Sequence, residues 1–205
     1  MKLIKVRFSV LLFMLIFGPN IHAQQINETL NQAIKSVTSS LRDIAEATAA
    51  EINADADISL GLLSKEINDS ALYIDQAYGY LIFPRVVKVG MGVGIETGEG
   101  VLRIAGSSVD YYRLSSGSLG FQVGAQAKAV VVAFMTEDVL NNFRNNPGWK
   151  VGLDGTITII DKGLGQSIDS DKILDPIIAF IFDSRGLMYS LTMEGTVFTL
   201  LDKSN

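Results

Sequence analysis

The chain contains no cysteine and a single histidine, His22. The missing cysteine excludes disulfides, thiolate nucleophiles and cysteine-ligated zinc. Charge is sparse at 19% of residues, against 48% hydrophobic. That balance supplies a real core and argues against intrinsic disorder. At 205 residues the length fits one domain, or a domain with a small appendage.

Residues 1–23 read as a secretory signal peptide. Lys2, Lys5 and Arg7 form a basic start, Phe8 to Phe17 is apolar apart from Ser9, and Gly18-Pro19 breaks the run. Ile21-His22-Ala23 precedes the expected cut before Gln24. The apolar stretch falls short of the roughly 20 residues of a membrane-spanning helix, and retention as an uncleaved anchor is the alternative. With no cysteine near the cut, a lipoprotein anchor is excluded. Cleavage would remove three of 17 basic residues, leaving 14 against 22 acidic ones, a net charge of −8. It would also remove the only histidine. A mature chain without His or Cys cannot build a Ser-His-Asp triad, a Cys-His pair or a His-ligated metal. The acidic balance argues against nucleic acid as a partner. The expected location is the periplasm or outer envelope of a bacterium, where secreted chains without disulfides are common.

Three segments follow: the signal peptide, an amphipathic helical region over 24–54, and a domain over 55–205. Ile26, Leu30, Ile34, Val37, Leu41, Ile44 and Ile52 recur at three- and four-residue steps, which predicts one helix over 26–52. A second helix is expected around 58–70, with Asp55 or Asp57 as its cap. From residue 78 the chain reads as short strands and tight turns. Turns are expected at 96–100, 115–117, 154–155, 183–186 and 194–195. Residues 153–158 and 193–198 look like one hairpin design used twice. Thr136 predicts a helix N-cap, with Glu137 and Asp138 in its first turn and Asn146-Pro147-Gly148 as its stop. Ala129 to Met135 and Ile177 to Phe182 are apolar runs that fit buried strands. The expected fold class is α+β: N-terminal amphipathic helices packed on a curved, mainly antiparallel, glycine-rich β-sheet or partly closed barrel.

Ten of the nineteen glycines fall between Gly79 and Gly124. Gly90, Gly92, Gly94, Gly98 and Gly100 share one parity, so one face of this strand would be nearly bare backbone. Ser118, Gly120, Gln122, Gly124 and Gln126 repeat the idea. Two readings stand side by side. Either a bulky element or a curved sheet packs closely on that face, or the face forms a smooth groove for an extended ligand.

At these residues the sequence resembles a known family. Ala77-Tyr78-Gly79-Tyr80-Leu81-Ile82-Phe83-Pro84, Val87 to Gly94 and Gly98 to Leu102 resemble the opening of a SYLF domain. Tyr111-Tyr112 and Ser118 to Gln126 are similar to its central signature. Phe134 to Glu137, Trp149 to Gly152 and Arg185 to Met188 fit its later blocks. The resemblance spans about residues 55–202. It implies phospholipid binding, with phosphoinositides as the ligands attributed to eukaryotic members, and no enzymatic activity. No cofactor is implied. Actin binding, known in the yeast relatives, is not carried over to a chain with a signal peptide. The helix over 26–52 departs from the basic helix of lipid-binding members, since Lys35 and Arg42 face Glu28, Asp43, Glu46 and Glu51, a net of −2. A local site should therefore hold any lipid. The candidates are Arg85, Lys88, Arg103 and Arg113, with Gly90, Gly92, Gly94, Gln122 and Gln126 beside them.

Other chemistry fails on the residues. Ile95 stands where a G-x-G-x-x-G fingerprint starting at Gly90 needs its third glycine. No Gly-Lys pair supports a Walker loop, and Ser116 spoils a G-x-S-x-G at Ser118. Asp55, Asp57, Ser59 and Glu66 mimic a calcium loop, but Leu60 occupies the glycine place. Glu96, Glu99, Asp154 and Glu194 offer carboxylates for glycoside hydrolysis, yet each adjoins a turn-forming glycine signal. The leading expectation is a non-enzymatic phospholipid-binding envelope protein. The alternative is a structural or protein-interaction module without lipid.

Overall fold

The structure is a computed structural model that describes residues 25, 28, 31, 32, 35, 38, 39, 42, 47–161, 175–186 and 193–203, without the side chains of 91–93, 118–125 and 186. The signal-peptide reading of 1–23 and the side chain of Gln122 lie outside these. Two compact units divide the chain, Met1–Ser40 and Leu41–Asn205. In the first, the described residues are polar, helical and exposed.

In the second unit, the helix expected to run unbroken to 52 is interrupted at Ala47-Thr48. Thr48 caps a new helix, α1 (Ala49–Glu66). Its hydroxyl accepts from Glu51 N at 3.2 Å, and Glu51 Oε2 accepts from Thr48 N at 2.8 Å. This capping box satisfies two otherwise orphaned donors. These bonds also lower the carboxyl pKa of Glu51. Asp55 and Asp57 therefore lie inside the helix, neither as caps nor as a calcium loop. Helix α2 (Ser70–Gln76) follows, its entry turned by Asp69 at φ 63°.

Two strands then dominate the fold: β1 (Gly79–Ile104) and β2 (Ser107–Phe134). They pair antiparallel from Gly79↔Phe134 to Ile104↔Ser107. The turn is Ala105-Gly106, both at positive φ (49° and 78°), a two-residue hairpin loop matched to strand twist. The turns expected at 96–100 and 115–117 are absent: both segments are strand. A straight strand of this length would reach roughly 85 Å, about twice the width of such a domain, so the hairpin must fold back on itself. Gly98 and Gly100 record where it does. A Cβ on Gly98 would sit 2.6 Å from the Arg85 carbonyl oxygen, and one on Gly100 would collide with the Ile82 carbonyl and the Phe83 ring. The bare face at these two positions is thus packed by an earlier stretch of the same strand. The close-packing reading holds there and the open-groove reading does not.

Helix α3 (Glu137–Asn145) begins at Thr136, as expected, with Val139 N donating to its hydroxyl. Strands β3 (Gly148–Lys150), β4 (Thr158–Asp161), β5 (Ile177–Gly186) and β6 (Val197–Leu201) complete the sheet. The order is β3-β6-β2-β5-β4, with β1 on β2. All pairings are antiparallel except β4 with β5. The turn at 152–155 therefore closes no hairpin, contrary to expectation. The run 183–186 is strand, not turn. The two apolar runs meet as strand partners, from Ala129↔Phe182 to Phe134↔Ile177.

Parity sorts the core into two layers. Leu81, Phe83, Leu102, Val130, Val132 and Phe134 point between the two halves of the folded hairpin, against Phe143, Trp149 and Phe198. Ile82, Val101, Val131, Ala133 and Phe180 point outward, beneath Ile52, Ala56 and Leu63 of α1. Burial of each large apolar side chain contributes about 1.5–3 kcal/mol. The result is the expected α+β class: helices on a curled, mainly antiparallel sheet.

Candidate functional site

Two β-bulges lie side by side in the sheet. One is an extra residue in β1 between Phe83 and Val86, the other an irregularity where β2 residues 127–129 meet β5. Asp183, at φ 47°, is the bulged residue of β5. Bulges re-aim side chains and open a sheet locally. Here they leave a cleft of about 270 Å³ under α1. Asp55, Ile58, Ser59 and Leu62 line it from the helix. Pro84 and Arg85 come from β1, Ala127 and Lys128 from β2, and Asp183 and Arg185 from β5. Arg85 is exposed, and no ion pair is described for it among the described residues. Arg185 is 2.9 Å from Asp183 and largely exposed. Ile58 is 63% exposed at the same mouth.

The four basic candidates do not share one site. Arg103 lies against α1, 2.6 Å from Asp57. Arg113 reaches buried Glu99 at 2.6 Å. Lys203 stands 2.7 Å from the other oxygen of Glu99, a contact of charge and not of a well-aligned hydrogen bond. Only Arg85 lines the cleft. Lys88 is 4% exposed and turned into the fold. Its strand partner is Gln126, also 4% exposed, and partners in register share a face. On that face Gly90 opposes Gly124 one step further on, and Gly94 opposes Ser118. Gly92 falls at the Met91/Val93 irregularity. Lys128, two residues before Val130 on the inward parity, pairs with Glu96 at 2.8 Å, both buried. The carboxylates Glu96 and Glu99 are thus each held by cations. Among the described residues, no group of three or more acidic or histidine side chains could hold a metal ion.

Sequence reasoning missed Lys128 altogether, weighed Glu96 only as a hydrolytic carboxylate, and placed Arg185 in a family-like block without making it a site residue. Lys128 carried a signal: it shares parity with Val130, Val132 and Phe134, which marks an inward position. Arg185 carried none, because the Asp183 bulge that re-aims it follows from pairing between distant strands. No helix among the described residues is long and apolar enough to cross a membrane.

A search of curated proteins returns no match. The family model described as Ysc84, Las17-binding protein actin regulator, matches residues 115–205, from the middle of β2 to the end of the chain. Over residues 115–205 the chain is therefore similar to the Ysc84 (SYLF) family, the one that the glycine-rich blocks of the sequence resemble.

Proposed function

We propose that the protein is a non-enzymatic phospholipid-binding protein of a bacterial envelope, docking an anionic head group at the bulged cleft. The observation that carries this reading is the pairing of opposite chemistries at one mouth. Arg85 and Arg185 offer charged donors, while exposed Ile58 with Leu62 and Pro84 offers apolar surface. An anionic amphiphile needs both. A cleft of about 270 Å³ suits a head group and not a whole lipid, so the acyl chains would stay in the bilayer. A phosphoinositide-type head group is the finer form of the proposal. The signal-peptide pattern at 1–23 supports the envelope location.

The test is co-sedimentation with vesicles of anionic phospholipid, with zwitterionic vesicles as control. Binding should occur and fall at least tenfold in Arg85→Glu/Arg185→Glu. Both side chains are exposed, so folding should survive. Unchanged binding in that variant sinks the cleft. No binding to any vesicle sinks the function. The family description favours a second reading, a protein-docking module. It predicts a stoichiometric protein complex that persists without lipid and in the double variant.

A further inference from the structure

We infer a second ligand site inside the fold, for a singly charged phosphate group that also offers a hydroxyl, held by Lys88 and Gln126. The inner face is apolar along most of its length. At one end it carries four buried polar side chains, Lys88, Glu96, Gln126 and Lys128. Lys128 and Glu96 neutralise each other. Lys88 is left as a surplus cation on a side chain only 4% exposed, with no ion pair or hydrogen bond described for it among the described residues. Beside it Gln126 Oε1 is buried without a hydrogen-bond partner. A charge without a counter-ion in a nearly buried position and an unpaired buried acceptor both weigh against stability, and apolar side chains in their place would remove the penalty.

The two unmet demands are complementary. An ammonium needs an anionic acceptor, and an amide oxygen needs a donor. A dihydrogen phosphate supplies both, as does a phosphodiester beside a free hydroxyl. Gly90 and Gly124 are partners immediately beyond the Lys88–Gln126 pair, so neither of these two strands places a side chain there. The charge sum of this end, two lysines against one glutamate, matches one negative charge. The lipid source of this phosphate rests on the docking reading above; the free-anion source does not.

Calorimetric titration with inorganic phosphate and, separately, short-chain phosphatidylglycerol tests the site in the full chain. The wild type should bind at least one of them. Lys88→Met and Gln126→Glu should each lose that binding by tenfold or more while melting at or above the wild-type temperature. The first removes the surplus charge, and the second gives it an internal carboxylate. Should Lys88→Met fail to fold, Gln126→Glu carries the test alone. Loss of phosphate binding identifies a free-anion site; loss of the lipid alone identifies a head-group site. Vesicle co-sedimentation, which reads the cleft, is run on the same inner-face variants, so loss or absence of phosphate binding with vesicle binding intact separates failure here from failure of the cleft. Binding of neither probe, or binding equal in wild type and both inner-face variants, overturns the inference.

Discussion

Replacing Gly100 by alanine adds a single methyl group and tests whether the long hairpin closes on itself. The new Cβ would collide with the Ile82 carbonyl oxygen and the Phe83 ring edge, and a carbonyl held in the β1–β2 ladder cannot swing away. Overpacking of this kind costs up to about 3 kcal/mol. Alanine in place of a strand glycine returns about 0.5–1 kcal/mol by restricting the unfolded chain. The net loss should be about 2 kcal/mol. In a domain of this size that lowers the melting temperature by roughly 4–8 °C. Gly117 is the matched control. It lies in β2, and a Cβ there meets nothing within 4 Å, so Gly117→Ala should gain stability of about 0.5 kcal/mol. Urea unfolding followed by far-ultraviolet circular dichroism measures both. If Gly100→Ala is as stable as the wild type, the two halves do not meet at Ile82. If it is stable but loses lipid, Gly100 lines a groove after all.

Two further outcomes follow from buried polar groups. Glu96→Gln strands the Lys128 ammonium inside the fold and should destabilise by about 3–5 kcal/mol, whereas Glu96→Leu/Lys128→Met should recover most of that loss. A double-mutant cycle reads the coupling, and additive losses would refute it. Tyr112 is 1% exposed, and burial, with nearby Asp110, pushes its hydroxyl up to about 12. The unfolded chain ionises near pH 10 while the folded chain keeps its proton. Stability should therefore fall between pH 10 and pH 12, by up to ~1.4 kcal/mol per pH unit. Tyr112→Phe should flatten that part of the pH profile; an unchanged slope would show that other groups set it.

The sequence by itself determined what depends on neighbours along the chain. Thr136 with Glu137 and Asp138 settled where α3 begins, because a helix N-terminus needs a cap and favours acid within one turn. The capping box at Thr48 and Glu51 was equally local, although the unbroken apolar spacing of 26–52 concealed it. The apolar runs 129–135 and 177–182 declared buried strands, and alternate glycines declared a face that something must approach closely. Tertiary structure decided the rest. Gly98 and Gly100 looked like turn residues, and only the return of β1 onto its own first half shows that they admit a backbone instead. The same fold-back turned Lys88 and Lys128 inward, while bulges in two strands gathered Arg85 and Arg185 at one mouth. Parity fixes which residues share a face, but whether that face meets water or another strand is set by residues far along the chain, and no local pattern carries that information.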